Sequence, residues 1–204
     1  IYCSETREWI NVCEGLDEEW IACLNKWSNQ PYGPNRKRNT DKMTKHTYFP
    51  VYGNMFLPIK HENIKILEVG ICRGGSLGLW KDYFCKGEVF GIDIERYDVD
   101  GIDRSTYAEE RINIGYVDST NKELIDKHPF FQFNEYYDII IDDGAHDPLS
   151  QLKTCRNMFS KLKNSGCYII EDIIDDKSLN ILRTALEESN FYFMIIDLRT
   201  LPRK

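Results

Sequence analysis

The sequence predicts a doubly wound α/β fold, in which a mostly parallel sheet is covered by helices on both faces and preceded by an N-terminal helical cover. Three observations lead there. From residue 59 onward, apolar runs of strand length rich in β-branched and aromatic residues alternate with stretches long enough for helices. The first of these runs ends in a glycine-rich turn, and two later ones end in clustered carboxylates. Strands that are apolar throughout and separated by helices belong to a sheet buried on both sides.

Taken in order, the elements are as follows. Trp9, Cys13, Leu16, Trp20, Leu24 and Trp27 recur every three or four residues, the period of an amphipathic helix. Gly15 divides it into two pieces and Asp17 caps the second, and the helical spacing of the three Trp predicts docking onto the main domain rather than ligand stacking. Residues 28–38 (SNQPYGPNRKR) read as a basic loop, and a short helix follows over 48–57, ended by Pro58. Strands are predicted over 64–70, 88–93, 111–117, 137–141, 167–171 and 191–197. Residues 1–58 are thus expected to form an N-terminal helical segment and 59–204 the core.

Composition bounds the function. The 204 residues suit one domain with accessory pieces, and 42% hydrophobic with 29% charged residues suits a globular chain. A net charge of −7 counts against a dedicated binder of nucleic acid or of an acidic membrane, so the expected partner is small or neutral. No run approaches the roughly 18–20 apolar residues of a membrane span, and no secretory-type leader is visible. The chain begins at Ile1, which reads as a processed or excised piece of a larger multidomain protein. Its seven cysteines (Cys3, Cys13, Cys23, Cys72, Cys85, Cys155 and Cys167) never form a Cys-x-x-Cys pair, so neither a zinc knuckle nor a disulfide framework is expected. A reducing cytoplasm fits this usage.

The stretch ILEVGICRGGS, residues 66–76, reads as a buried strand, a turn and the start of a helix near Ser76. Gly70, Gly74 and Gly75 let the backbone approach a ligand, and a helix N-terminus offers unpaired N–H groups. Asp93, 23 residues after Gly70 at the end of the next strand, can accept hydrogen bonds from a ribose diol. Glu68 would sit badly beside a pyrophosphate but well beside the cationic amino and sulfonium groups of S-adenosylmethionine.

These residues resemble class I S-adenosylmethionine-dependent methyltransferases, with a Rossmann-like fold. The resemblance assigns Glu68, Gly70, Gly74, Ser76 and Asp93 to the cofactor, and puts Asp118, in YVDST, near the adenine amino group. The alternative for Asp118 is the N-cap of a helix over 120–128.

In IIIDDGAHD, residues 139–147, an apolar strand runs into Asp142, Asp143 and His146, and in CYIIEDI, residues 167–173, the next runs into Glu171 and Asp172. Ligands of an open parallel sheet bind at such strand ends, and Asp142 is counted with the cofactor groups there. Several carboxylates packed together repel one another unless a cation sits among them, and oxygen ligation favours Mg2+, with Mn2+ or Ca2+ as alternatives. Asp143, Glu171 and Asp172 are therefore read as metal ligands and His146 as the general base, Asp143 sharing the catalytic role. An aliphatic hydroxyl needs both a metal and an imidazole to lose its proton near neutral pH.

The pair IDDGAH and IIEDI narrows the resemblance to the metal-dependent O-methyltransferases of macrolide sugars, of the macrocin and mycinamicin type, and to related viral and bacterial glycan O-methyltransferases. These imply the same ligands and base and a sugar or oligosaccharide acceptor, acting in the cytoplasm, or in the host cytoplasm for a viral enzyme. The stretch TDKMTKHTYFPVY, residues 40–52, resembles the segment that closes over the cofactor, which assigns Thr40, Lys42 and Tyr48 to it. The insertion YDVDGIDRSTYAE, residues 97–109, departs from the pattern, and the sequence stops soon after 191–197, so the family's final antiparallel strand is either absent or outside it. A catechol-type O-methyltransferase, a nicotinamide oxidoreductase and a non-catalytic binding module remain as rivals. The oligomeric state is open, a homo-oligomer included.

Overall fold

The computed structural model describes residues 17–28, 40–42, 48–98, 100–189 and 192–198. The predicted helical positions Trp9, Cys13 and Leu16, and the basic loop beyond Ser28, lie outside the described residues. Five strands, β1 (Lys65–Val69), β2 (Glu88–Asp93), β3 (Ile112–Tyr116), β4 (Tyr137–Asp142) and β5 (Leu162–Ile170), form one sheet of order β3-β2-β1-β4-β5. Every pairing is parallel. The helices are α1 (Glu18–Ser28), α2 (Phe49–Phe56), α3 (Gly75–Tyr83), α4 (Lys122–Lys127), α5 (Pro148–Met158) and α6 (Asp176–Glu187).

Successive strand residues face opposite sides, and each side has its own core. Ile66, Ile139 and Ile141 pack with Trp20, Leu24, Tyr52, Phe56, Trp80 and Phe84, so α1 and α2 share a core with α3 and the sheet. Leu67, Val69, Phe90, Ile92 and Ile140 pack on the other side with Phe131, Tyr137 and Met158. Trp20 stacks on Trp80 with ring centroids 5.9 Å apart and meets Tyr83 edge-on at 4.8 Å. Gly78 permits the crossing of α1 over α3, because a Cβ there would lie 2.2 Å from the Trp27 ring. The Trp residues at 20 and 27 are thus docking residues, as their spacing predicts. Asp17 precedes α1 and ties it to Lys60 at 3.0 Å.

Register sets the site. Val69 pairs with Ile92 and with Asp142, and Asp142 pairs with Ile170. One residue further along, Gly70, Asp93, Asp143 and Glu171 therefore emerge side by side at the carboxyl edge, where the chain order reverses between β1 and β4. Backbone bonds carry the ladder into this row: Gly70 N–H to Ile92 O at 2.9 Å, Asp143 N–H to Val69 O at 2.9 Å and Glu171 N–H to Asp142 O at 3.0 Å.

Several expectations need correction. The predicted sixth strand does not form: the described residues 192–198 carry no strand, and Tyr192 is fully exposed. A run of β-formers becomes a strand only with a ladder partner. β5 begins at Leu162, five residues before its predicted start, because Lys163, Asn164 and Gly166 hide the pattern of its outer half. Pro58 does not end α2 abruptly but sits in the 3-10 turn Leu57–Ile59 that prolongs it. The helix expected over 120–128 is α4, capped by the Asn121 side chain, which accepts from Leu124 N–H at 3.2 Å, and not by Asp118.

Candidate functional site

The turn after β1 is built on left-handed backbone at alternate positions, with φ of +89° at Gly70, +45° at Cys72 and +69° at Gly74. Gly70 is needed there twice over: for its φ, and because a Cβ would lie 2.2 Å from the Asp143 carbonyl oxygen. The turn following β1 and the turn following β4 therefore touch backbone to backbone. Gly74 occupies the N-cap of α3 and Ser76 is buried in its first turn, where its side chain hydrogen-bonds Glu68.

Glu68 is fully buried and accepts a 3.2 Å bond from Trp80 Nε1, while its Oε1 has no hydrogen-bond partner among the described residues. Burial raises its pKa. The cation it faces is Lys42, whose Nζ lies 3.4 Å from Oε1.

Lys42 sits at the centre of the acidic groups. Its ammonium donates to both Glu171 oxygens at 2.8 and 2.7 Å and to Asp143 Oδ2 at 3.0 Å, which uses all three of its N–H groups. Burial disfavours its charge, but Glu171, Asp143 and Glu68 outweigh that and hold its pKa well above the usual lysine value. Tyr52 Oη also donates to Glu171 Oε1, and Tyr48 Oη to Asp172 Oδ1. Tyr48 and Tyr52 are four residues apart, one on the N-cap and one in the first turns of α2, so one helix face delivers both hydroxyls to the Glu171-Asp172 pair. Thr40 is buried, with its hydroxyl accepting a long 3.4 Å bond from Lys42 N–H.

Toward solvent, Asp143, His146 and Asp172 converge. His146 Nε2 lies 3.2 Å from Asp143 Oδ1 and its Nδ1 lies 3.5 Å from Asp172 Oδ2. One ligand atom from each of the three fits within 4.8 Å of the others, a spacing that suits a metal ion. Both His146, at φ +51°, and Asp172, at φ +52°, have left-handed backbone, a cost of about 1–3 kcal/mol each of the kind that collects at functional sites. The hydrogen bond to Asp143, with the Asp172 charge, raises the His146 pKa to about 9. Asp143 is desolvated, yet Lys42 and His146 keep its pKa below the usual aspartate value. Buried Gln151 donates from Nε2 to the Glu171 carbonyl at 2.9 Å and so fixes the turn after β5.

The remaining predicted groups flank this centre. Asp93 Oδ2 accepts Ile71 N–H at 3.0 Å and meets Arg104 Nη2 at 3.3 Å, while among the described residues Oδ1 accepts a single 3.3 Å bond, from Glu95 N–H. Asp118 Oδ1 accepts from Thr120 N–H at 2.9 Å and from Thr120 Oγ1 at 2.7 Å, closing a turn. Asp142 is 1% exposed, with long bonds from Gly144 N–H at 3.3 Å and Tyr168 Oη at 3.4 Å, and burial pushes its pKa up to about 7.

Tyr52, Trp80, Arg104 and Gln151 are missing from the sequence-based site. Tyr52 was accessible to helical spacing from Tyr48. Arg104 and Gln151 act on backbone carbonyls, which leave no trace in a motif.

A five-stranded parallel sheet of this order, with a glycine turn after β1 and acids closing β2 and β4, is the fold of class I methyltransferases, as the sequence predicts. Among solved structures, the chain superposes on the MycE methyltransferase of the mycinamycin biosynthetic pathway, in complex with Mg and SAH, with a TM-score of 0.59 and 26% identity over 71% of this chain and 42% of that one. It matches a fibrillarin pre-rRNA processing protein of Methanococcus jannaschii in fold alone, with a TM-score of 0.51 and 21% identity over 71% of this chain and 64% of that one.

In sequence the chain is similar to O-methyltransferases of the macrocin and mycinamicin type. It is 30% identical over 149 residues to the 8-demethyl-8-alpha-L-rhamnosyl tetracenomycin-C 2'-O-methyltransferase of Streptomyces olivaceus, spanning 67% of this chain and 36% of that protein. It is 31% identical over 139 residues to the demethylmacrocin O-methyltransferase of Streptomyces fradiae, spanning 63% and 32%. The chain thus spans about a third of the length of the curated relatives it matches. No family model matches it. Among the described residues no helix is long and apolar enough to cross a membrane.

Proposed function

We propose that the chain is the catalytic unit of a divalent-metal-dependent O-methyltransferase that moves the methyl group of S-adenosylmethionine to a sugar hydroxyl. The observation that carries this reading is the contact between the glycine turn at Gly70 and the Asp143 turn, which puts a cofactor cradle against a metal-sized group of donors. Charge supports it. The four carboxyl groups of Glu68, Asp143, Glu171 and Asp172 outnumber the cations Lys42 and protonated His146, and a divalent cation or a sulfonium cofactor would favour their charged forms. The relatives' names describe O-methylation of glycosylated compounds, and MycE was solved with Mg and SAH.

Asp143 and Asp172 would hold Mg2+, with Mn2+ or Ca2+ as substitutes; Glu171 lies outside the metal-sized group and would join them by giving up part of its bond to Lys42, while the His146 nitrogen within that group is kept for the proton. A cation there supplies Lewis acidity, lowering the pKa of an acceptor hydroxyl. The alternating left-handed turn and the first amides of α3 would cradle the cofactor, with Asp93 toward the ribose and Asp118 toward the adenine. His146 takes the hydroxyl proton, which requires the neutral ring. Its pKa of about 9 is set by Asp143 and Asp172, so engaging those carboxylates elsewhere returns the ring toward an ordinary value of about 6.5. The acceptor oxygen then bonds to the methyl carbon as the carbon–sulfur bond breaks, giving a methyl ether and S-adenosylhomocysteine. The protein's share is alignment and fixed charge. Lys42 is a poor candidate for the lysine base of a catechol-type enzyme, because its three N–H groups are already engaged.

The test is mass spectrometry after incubation with methyl-labelled S-adenosylmethionine, Mg2+ and a panel of glycosides. A gain of one labelled methyl on a sugar is expected, and it should vanish with EDTA. Failure to bind S-adenosylhomocysteine in calorimetry would overturn the reading, and activity that survives EDTA would remove the metal from it.

A further inference from the structure

The insertion at residues 97–109 folds back onto the glycine turn. Its first half closes on itself through the antiparallel bridge between Tyr97 and Asp103. Asp98 organises its interior, accepting Asp100 N–H at 2.8 Å, Ile102 N–H at 2.9 Å and Tyr107 Oη at 2.6 Å. Tyr107 and Ile102 of this loop pack against the core, and the Arg104 side chain reaches the glycine turn. Arg104, 6% exposed, donates from Nε to the Cys72 carbonyl at 3.0 Å and from Nη1 to the carbonyls of Glu95 at 2.8 Å and Tyr97 at 2.7 Å. Its Nη2 lies 3.3 Å from Asp93 Oδ2. A second tie joins the same two segments, Arg73 Nε to Asp100 Oδ2 at 2.8 Å.

One planar guanidinium thus joins the turn after β1, the carboxylate ending β2 and the loop beyond it. Only arginine offers enough donors in a rigid fork for this. The Cys72 carbonyl that Arg104 holds belongs to a non-glycine residue in the left-handed region, so the bond supports the most strained link of the cofactor turn. The Asp93 oxygen that Arg104 meets also receives Ile71 N–H, which fixes the carboxylate's orientation and leaves Oδ1 with one long bond.

We propose that Arg104 is a positioning residue for the cofactor, and that the insertion carrying it serves the adenosine half of the site rather than the acceptor or the metal. This rests on the proposed function, since it presumes that the turn and Asp93 bind S-adenosylmethionine. Arg104 acts through Asp93 and the Cys72 carbonyl, and need touch no substrate itself.

The experiment titrates the full chain with S-adenosylhomocysteine by calorimetry, comparing wild type with Arg104→Gln, Arg104→Lys, Asp93→Asn and the double variant Asp93→Asn/Arg104→Gln. Arg104→Gln is expected to weaken binding about tenfold, roughly 1.4 kcal/mol, and lysine to restore little of it, because an ammonium cannot span the four partners. Asp93→Asn should cost much less in the Arg104→Gln background than in wild type, the signature of two residues acting as one unit. Mn2+ binding followed by electron paramagnetic resonance should not change. In turnover the KM for S-adenosylmethionine should rise with kcat little altered.

A merely structural Arg104 would lower thermal stability while leaving affinity, measured well below the melting temperature, as in wild type. That result, or strict additivity with Asp93→Asn, overturns the proposal. Should Arg104→Gln not fold by circular dichroism, Arg73→Gln removes the outer tie alone. It is expected to weaken binding severalfold, and unchanged affinity again overturns the proposal. A wild-type chain that binds no S-adenosylhomocysteine would instead overturn the proposed function, so the two failures are distinguishable.

Discussion

Lys42 and Glu171 form a fully buried two-point pair, the ammonium 2.7 and 2.8 Å from the two carboxylate oxygens, across 129 residues of sequence. The pair joins the N-terminal cover to the last strand of the sheet. Burial, with the nearby Asp143 charge, raises the Glu171 pKa, and Lys42 opposes that most strongly, with the Tyr52 hydroxyl adding to it.

Replacing Lys42 by Met is therefore expected to destabilise the protein by about 3–5 kcal/mol, as when one partner of a buried pair is removed. Lys42→Met/Glu171→Gln should recover a large part of the loss. Urea unfolding of the two variants at pH 7.5 decides this, and a double variant no more stable than the single one would show that the pair does not act as a unit.

For His146→Asn, single-turnover methyl transfer should slow by about two to four orders of magnitude, the worth of a general base. Affinity for S-adenosylhomocysteine should be unaffected. Stability should fall at pH values where the wild-type ring is charged, because the contacts to Asp143 and Asp172 are lost, while asparagine's easier acceptance of the left-handed backbone at φ +51° offsets part of the loss. Unimpaired transfer would remove His146 from the chemistry.

Asp142 makes stability depend on pH. Its folded pKa of about 7 lies above the unfolded value of about 3.9, so the folded state holds a proton that the unfolded chain has lost. The resulting stability is fully present below about pH 4 and is lost as pH rises through about 7. Relative to wild type, Asp142→Asn should therefore gain about 2 kcal/mol between pH 5 and pH 8, read from paired urea curves without cofactor. A wild-type-minus-variant difference that stays flat with pH would contradict the shift.

Gly70→Ala should damage both halves of the site at once. A left-handed alanine costs about 1–2 kcal/mol for its backbone alone, and the added Cβ would in addition push on the Asp143 carbonyl 2.2 Å away. Affinities for Mn2+ and for S-adenosylhomocysteine should fall together. If Mn2+ binding alone were untouched, the two turns would not be mechanically joined.

The sequence made the sheet legible because its strands are buried on both faces and end in chemically distinctive turns. β2 was placed to the residue, and the row of Gly70, Asp93, Asp143 and Glu171 follows from strands that all stop at one edge. The run at 191–197 misled because β-propensity cannot report whether a ladder partner is present. Lys42 was read with the cofactor, and its place among Glu68, Asp143 and Glu171 depends on tertiary contacts across 26 to 129 residues. The role of Arg104 was hidden for a different reason. It recognises mainly carbonyl oxygens, which every residue has.

The register along β1 and β4 also defines a seam. Most groups assigned to the methyl donor come from β1, β2, β3 and the turns behind them, with Asp142 at the end of β4 and Thr40, Lys42 and Tyr48 of the N-terminal segment as the exceptions, whereas the groups assigned to the metal and the proton follow the ends of β4 and β5. Between the two blocks the sheet is joined by one row of pairings, from Ile66–Ile139 to Val69–Asp142, made by strands about 70 residues apart in the chain. Closing so long a loop is entropically expensive, and until it closes neither block has a partner for its chemistry. On the proposed function, the spacing between methyl donor and acceptor would thus be set by backbone pairing in the middle of the sheet, where side-chain variation reaches it least.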